Sequence, residues 1–143
     1  MSRPSSSTEA LADRLHSAAI HLLRLVRVQD AAAGIGPAQL SALSVLVFAG
    51  PLSLNQLARA EQVKPPTMSR IVDALEKSGL ARRRENPSDR RAVLLEATEK
   101  GASLLRRGRD RRVKFLARYL ARLSAAELRS LNSAVSALEK ALR

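Results

Sequence analysis

KPPTMSRIVDALEKSGLARRRENPSDRR, residues 64–91, is the stretch on which the fold turns. Its first half reads as a helix. Pro65 and Pro66 suit a first helical turn, where an N–H would lack a partner in any case. Met68, Ile71, Val72 and Leu75 follow at the three-to-four spacing of a single buried face. Gly79 stands where such a helix stops. Thr67, Ser69, Arg70, Asp73 and Lys77 make up the opposite face. The second half changes period. ENPSD is built of turn formers. Its flanks, LARRR and RRAVLLEA, read as strands, with Val93 and Leu95 alternating against Leu94 and Glu96. The expectation is a two-stranded hairpin closed by a loop of about five residues.

Working outward, Ser53 and Gln56 form a capping box at the start of a short helix over 54–60. A turn of about four residues joins it to the helix that follows Lys64, which makes a helix-turn-helix. The hairpin directly after it is then a wing. Upstream, GIGP precedes a helix over 38–49 that is apolar nearly all round and belongs in the core. Further upstream, Leu11, Leu15, Ala18, Leu22 and Leu25 or Val26 mark one face of a first helix. Downstream, a long helix runs from Thr98 to about Leu123, and Ser124 with Glu127 makes a second capping box. In the last helix Leu128, Leu131, Val135, Leu138 and Leu142 step by three, four, three, four, a heptad seam. The fold class expected is mainly α with a small β-hairpin wing. Residues 34–98 form the winged helix-turn-helix lobe, 9–33 and 99–143 a helical dimerisation region, and 1–8 a disordered tail. The terminal stripes at Leu11, Leu15 and Leu22 and at Leu128, Leu131, Val135, Leu138 and Leu142 are longer than one small lobe needs. An intersubunit seam accounts for them, although packing on each other within one chain also would.

The totals narrow the function. The chain has 143 residues, a net charge of +12, no cysteine and two histidines. A basic excess of this size suits a polyanion, either nucleic acid or an anionic membrane surface. Without cysteine there is no thiol catalysis, disulfide or cysteine-based redox sensing. No metal site and no cofactor are expected. No run of about 18 apolar residues suggests a membrane span, and the expected location is cytoplasmic, on the nucleoid. No Gly-rich phosphate loop, nucleophile elbow or usefully paired carboxylates occur, so an enzyme is not expected. Aromatic residues make up only 2% of the chain, which argues against base stacking on single strands.

The wing arginines carry the partner. A helix in the major groove leaves its neighbouring hairpin over the sugar-phosphate backbone, with the tip near the minor groove. Phosphates and a narrow minor groove both attract arginine. Arg82, Arg83, Arg84, Arg90 and Arg91 read as backbone anchors and groove probes, and Asp89 as a clamp holding one guanidinium by two parallel bonds. The alternative is a solvated loop that keeps the protein soluble.

At this point the residues also resemble a family. ENPSDRRAVLLEATEKG is similar to the D-x-R wing motif of the MarR family of bacterial transcriptional regulators, with its apolar strand ending at threonine and then glycine. PPTMSRIVDALEKSGL resembles that family's recognition helix and GIGPAQLSALSVL its second helix. The resemblance implies a homodimer with interleaved first and last helices, binding double-stranded DNA at a pseudo-palindromic operator, usually as a repressor. It matches Asp89 and Arg91 to the D-x-R pair and Arg90 to the variable residue between them. The expected DNA-facing set is Lys64, Pro66, Thr67, Ser69, Arg70, Arg83, Arg84, Asp89, Arg90 and Arg91. Gly36 and Lys64 depart from the family, standing at helix caps where Ser or Thr is common. Lys64 either leaves the recognition helix less fixed or reaches a phosphate. Regulators of this kind often answer to small aromatic or phenolic acids, and the residues that would line such a cleft are His16, Phe48, Phe115 and Tyr119, with His21 and Arg24 as further candidates. Ordinary helix packing is the better explanation of Phe115 and Tyr119. The competing reading of the whole chain is a non-specific nucleic-acid-binding or protein-docking winged-helix module. Membrane-surface binding by RRGRDRRVKF is a weaker one, because its apolar face is needed for the fold.

Overall fold

The computed structural model describes residues 5–143. The order of elements is α1 (Ser6–Arg27), a 3₁₀ segment (Val28–Ala33), α2 (Pro37–Ala49), α3 (Leu54–Ala60), α4 (Pro65–Lys77), β1 (Ala81–Asn86), β2 (Asp89–Ala97), α5 (Glu99–Leu120) and α6 (Ala125–Ala141). The fold is mainly α with a single antiparallel hairpin, as the sequence suggests. Two compact units result. One spans Val28–Arg109, and the other is made of α1, the second half of α5 and α6. The lobe therefore takes in more chain than 34–98, because Leu104 and Leu105 of α5 pack against its core.

That core is aliphatic: Ala42, Leu43, Leu46, Leu57, Ala58, Met68, Val72, Leu75, Leu80, Ala81 and Leu95 are buried together. α2, α3 and α4 each supply one face of it. α2 is apolar nearly all round, yet only Ala42, Leu43 and Leu46 are buried, and Phe48 is 82% exposed. The hairpin is anchored by an isolated β-bridge that the sequence did not suggest. Leu52 exchanges both backbone hydrogen bonds with Leu95, at 3.0 and 2.7 Å. A two-stranded hairpin alone is marginal in water, and this pairing ties its base to the α2–α3 connection.

Local chemistry sets the helix boundaries. The box at Ser53 and Gln56 is present in full, with Ser53 N–H donating to Gln56 Oε1 at 2.8 Å and Gln56 N–H to Ser53 Oγ at 3.2 Å. α1 begins at Ser6, inside the stretch expected to be a tail. Ser5 explains the difference: its Oγ accepts from Thr8 N–H at 3.3 Å and its carbonyl from Glu9 N–H at 3.0 Å, an N-cap not read from the sequence. Residues 1–4 of the expected tail lie outside the described residues.

The turn between α3 and α4 holds strain. Gln62 sits at φ 55°, in the left-handed region, where a residue with a Cβ costs about 1 kcal/mol. Gln62→Gly is expected to raise stability by about 0.5 kcal/mol after glycine's own entropic cost. Thermal melts would read this as a small rise in Tm. A fall would mean that the glutamine side chain contributes more than its backbone costs.

The second box caps α6. Glu127 Oε2 accepts from Ser124 N–H and Ser124 Oγ–H, each at 2.8 Å, and Glu127 N–H returns a bond to Ser124 Oγ at 3.3 Å. The backbone bond, and after it the hydroxyl bond, holds the Glu127 carboxyl below the usual glutamate range. Because the folded value is depressed, the cap's contribution is present above the ordinary glutamate pKa and is lost as pH falls through the lower folded value. In Ser124→Ala the Glu127 pKa should rise part of the way back to normal in a carboxyl NMR titration. An unchanged value would assign the whole effect to the backbone N–H.

Candidate nucleic-acid interface

α4 has one buried face and one open one. Met68, Val72 and Leu75 are fully buried, while Thr67, Arg70, Asp73 and Lys77 are exposed and Ser69 is half-buried. The first turn carries Pro65 and Pro66, and its cap, Lys64, makes no side-chain capping bond. Gly36 at the start of α2 likewise makes none. Gly79, at φ 71°, ends α4, and Gly79 N–H and Leu80 N–H return to the carbonyls of Glu76 and Leu75 at 2.9 and 2.8 Å. This reversal leads straight into β1.

The wing is tighter than its sequence suggests. The strands run to Asn86 and from Asp89, so two residues, Pro87 and Ser88, separate them in place of the expected loop of about five. A register shift between Glu85 and Asn86 lets the ladder continue into the turn. Asn86 Oδ1 accepts from Ser88 N–H at 3.0 Å, which closes the turn locally. Asp89 has a different role from the one expected. Its Oδ1 accepts the backbone N–H of Arg91 at 3.0 Å, and among the described residues it forms no ion pair. The carboxylate thus fixes main chain at the tip and holds no guanidinium.

The five arginines fall into three groups. Strand alternation puts Arg82 and Arg84 on one face and Arg83 on the other. Arg82 lies opposite Glu96 in the ladder, and Arg82 Nε and Arg84 Nε reach the two oxygens of Glu96 at 2.6 and 3.0 Å. The Glu96 side chain is 17% exposed, held under its two partners. Arg83 turns to α4, with Nη1 at 2.5 Å from Glu76 Oε2 and Nη2 at 3.1 Å from Asp73 Oδ1. Arg90 and Arg91 are exposed at the tip, and among the described residues neither side chain is ion-paired. Lys64 and Arg70 are likewise exposed and unpaired. Of the cations expected at the DNA, Lys64, Arg70, Arg90 and Arg91 are therefore open. Arg83 and Arg84, expected at the DNA, are engaged within the chain. Glu76 and Glu96, which hold them, were not read as site residues. The hint was present in the acidic residues of 73, 76 and 96, but only the strand register and the packing of α4 assign them.

The remaining candidates lie elsewhere. His16 and His21 are exposed on α1. Phe115 and Tyr119 tilt against each other at 5.2 Å, with Arg118 over the first ring and Arg122 over the second. These contacts are ordinary packing of successive helical turns. Phe48 belongs to the lobe, whereas His16, Phe115 and Tyr119 belong to the helical unit. Among the described residues no group of three or more His, Cys, Asp or Glu side chains could hold a metal ion. No single helix among them is long and apolar enough to cross a membrane.

Comparison with known proteins agrees with this geometry. Residues 35–93 match the model of the MarR family. Over 128 residues the chain is 36% identical to an uncharacterized HTH-type transcriptional regulator of Mycobacterium bovis, covering 90% of each chain. It is 34% identical over 95 residues to the HTH-type transcriptional repressor MdtR of Bacillus subtilis, covering 66% of this chain and 61% of that one. Among solved structures, a transcriptional regulator from Thermotoga maritima superposes with a TM-score of 0.85 at 25% identity, covering 94% of both chains.

Proposed function

Since this chain belongs to the MarR family of DNA-binding HTH-type transcriptional regulators, we propose that it is a homodimeric repressor of a pseudo-palindromic operator. The observation that carries the reading is the pairing of an exposed recognition-helix face, Thr67 and Arg70, with two uncompensated arginines, Arg90 and Arg91, at the wing tip. Thr67 and Arg70, with Ser69 and Pro66 beside them, would face base edges and phosphates in the major groove. Arg90 and Arg91 would reach the backbone and the adjacent minor groove, and Lys64 would reach a phosphate. Arg84 would add to the field of the wing, because one carboxylate does not neutralise both it and Arg82. Asp89 would act by holding the tip in shape.

The dimer is supported by what α1 and α6 leave uncovered. Neither helix has a buried residue. Leu11, Leu15, Leu22, Leu128, Leu131, Val135, Leu138 and Leu142 are all exposed. Apolar stripes of this length are not left in water by a monomer. Two copies would also set two recognition helices about 34 Å apart, one turn of DNA. The repressor sign draws on the name of MdtR, and the place of action would be the cytoplasm, on the nucleoid.

Fluorescence anisotropy tests the reading, using the intergenic duplex beside the gene and a scrambled copy across a salt series. A preference of about a hundredfold or more, at two chains per site, is the expected result. Equal affinities with equal salt slopes would favour the non-specific module. No binding at low salt would end the DNA reading. Release by a small aromatic or phenolic acid is the ligand part of the proposal. Adding a panel of such acids to the same assay tests it.

A further inference from the structure

We infer that Arg83 is a positioning residue that sets the wing against the recognition helix, and is not a phosphate anchor; the inference rests on the DNA-binding reading above. Strand alternation separates Arg83 from Arg82 and Arg84 and turns it towards α4. There its guanidinium spans two carboxylates three residues apart on the same helix, Asp73 and Glu76. Residues at that spacing are neighbours on a helix surface, and the rigid planar fork of arginine can bond both at once with a better-defined geometry than the flexible ammonium of lysine. The Arg83 side chain is 41% exposed, that of Glu76 27% and that of Asp73 61%, so the Glu76 half of the tie is the sheltered one.

Charge decides between the two roles. One guanidinium facing two carboxylates has its charge fully offset within the chain and leaves no net positive charge to draw a phosphate. Arg82 and Arg84 share a single carboxylate and leave a net positive charge. Among the described residues the Arg90 and Arg91 side chains form no ion pair, and the one carboxylate beside them, Asp89, bonds main chain. The wing therefore carries its attraction at the tip and on one face, while the other face is spent on α4. A two-stranded hairpin is weak alone. If it swings, the ordering of its tip must come out of the binding free energy. The Arg83 tie holds the hairpin and α4 in one geometry before DNA arrives, so both can engage together.

The test compares full-length Arg83→Ala, Arg83→Lys, the double variant Asp73→Asn/Glu76→Gln and Arg91→Ala. Each is titrated against a duplex that the wild-type protein selects from a randomised library, and against a scrambled copy, across a salt series. Arg83→Ala should bind the selected duplex about fivefold more weakly with an unchanged slope of log K against log salt. Arg91→Ala should lower that slope by about one unit. Arg83→Lys should recover part of the loss. The carboxylate variant should also weaken the selected duplex, although it adds positive charge. In the protein without DNA, hydrogen exchange of the β1 and β2 amides should quicken in Arg83→Ala while the core amides of α2 and α4 hold.

A slope lowered by about one unit in Arg83→Ala, or tighter binding by the carboxylate variant, would make Arg83 a phosphate contact and overturn the inference. So would unchanged exchange in the hairpin. If the wild-type protein binds no duplex, the operator reading fails, and the exchange measurement still decides whether Arg83 holds the wing.

Discussion

Gly101→Ala is expected to be strongly destabilising, costing about 3 kcal/mol. A Cβ built at Gly101 would stand 2.2 Å from the carbonyl oxygen of Leu80 and 2.9 Å from Leu43 Cδ1. The leucine methyl could turn aside. The carbonyl cannot, because the peptide around it is held from several directions. Leu80 O accepts from Thr98 N–H at 3.0 Å, and Leu80 N–H donates to Leu75 O at 2.8 Å. Thr98 Oγ1–H donates to Gly79 O at 2.6 Å and accepts from Gly101 N–H at 3.2 Å. Lys100 Nζ adds a bond to Ser78 O at 2.8 Å. The first turn of α5 is thus pressed onto the chain reversal between α4 and β1, the place that aims the wing. A side chain at position 101 must either push α5 away or break that reversal. Calorimetry should show a Tm lower by about 10 °C, together with loss of DNA binding at growth temperature. Gly36→Ser serves as the control. Nothing lies within 4 Å of a Cβ there, and a serine at this cap should leave stability unchanged or raise it by a few tenths of about 1 kcal/mol. A Gly101→Ala protein melting with the wild type would show that α5 can lift away from Leu80 at little cost.

The second large effect belongs to the tip. Arg90→Ala/Arg91→Ala removes two cations that form no ion pair among the described residues. If each neutralises a phosphate, the slope of log K against log salt falls by about two units. Affinity at low salt should drop by about ten- to a hundredfold, since charge-assisted bonds to phosphate are among the strong ones. The loss should fall on selected and scrambled duplexes alike, because backbone contacts position the protein and carry no sequence information of their own. Arg82→Ala/Arg84→Ala should do less, since those two already share Glu96. Stability should not change, because both tip arginines are exposed and bonded to the fold only through main chain. Titrations of the two double variants over one salt series separate these outcomes. Equal slopes for the wild type and Arg90→Ala/Arg91→Ala would return the tip to a solvated loop. A binding loss confined to the selected duplex would make the arginines readers of groove shape.

Much of this protein is written locally. Helix faces come from three-to-four spacing, as in Met68, Val72 and Leu75. Helix starts come from boxes that close within three residues, at Ser53 and Gln56 and at Ser124 and Glu127. The helix-turn-helix, the hairpin after it and the family follow from such short-range signals, because the residues that mark each element lie within a few positions of one another. Signals of the same kind were also missed where their residues looked like a tail, as at Ser5.

Only the tertiary structure decided the rest, and the reason is distance along the chain. Whether an arginine is open to DNA depends on which carboxylate the fold brings to it. For Arg82 and Arg84 that is Glu96, which requires the strand register. For Arg83 it is Asp73 and Glu76, which requires α4 packed beside β1. The two-residue turn depends on a register shift at Asn86 that turn propensities do not encode. Leu52 joins the sheet through a partner far along the chain, and Gly101 is needed because the Leu80 carbonyl happens to lie against it. Five arginines in one stretch announced a polyanion partner. The sequence alone could not say that Arg90 and Arg91 were left open to meet it while the other three were bound to the fold.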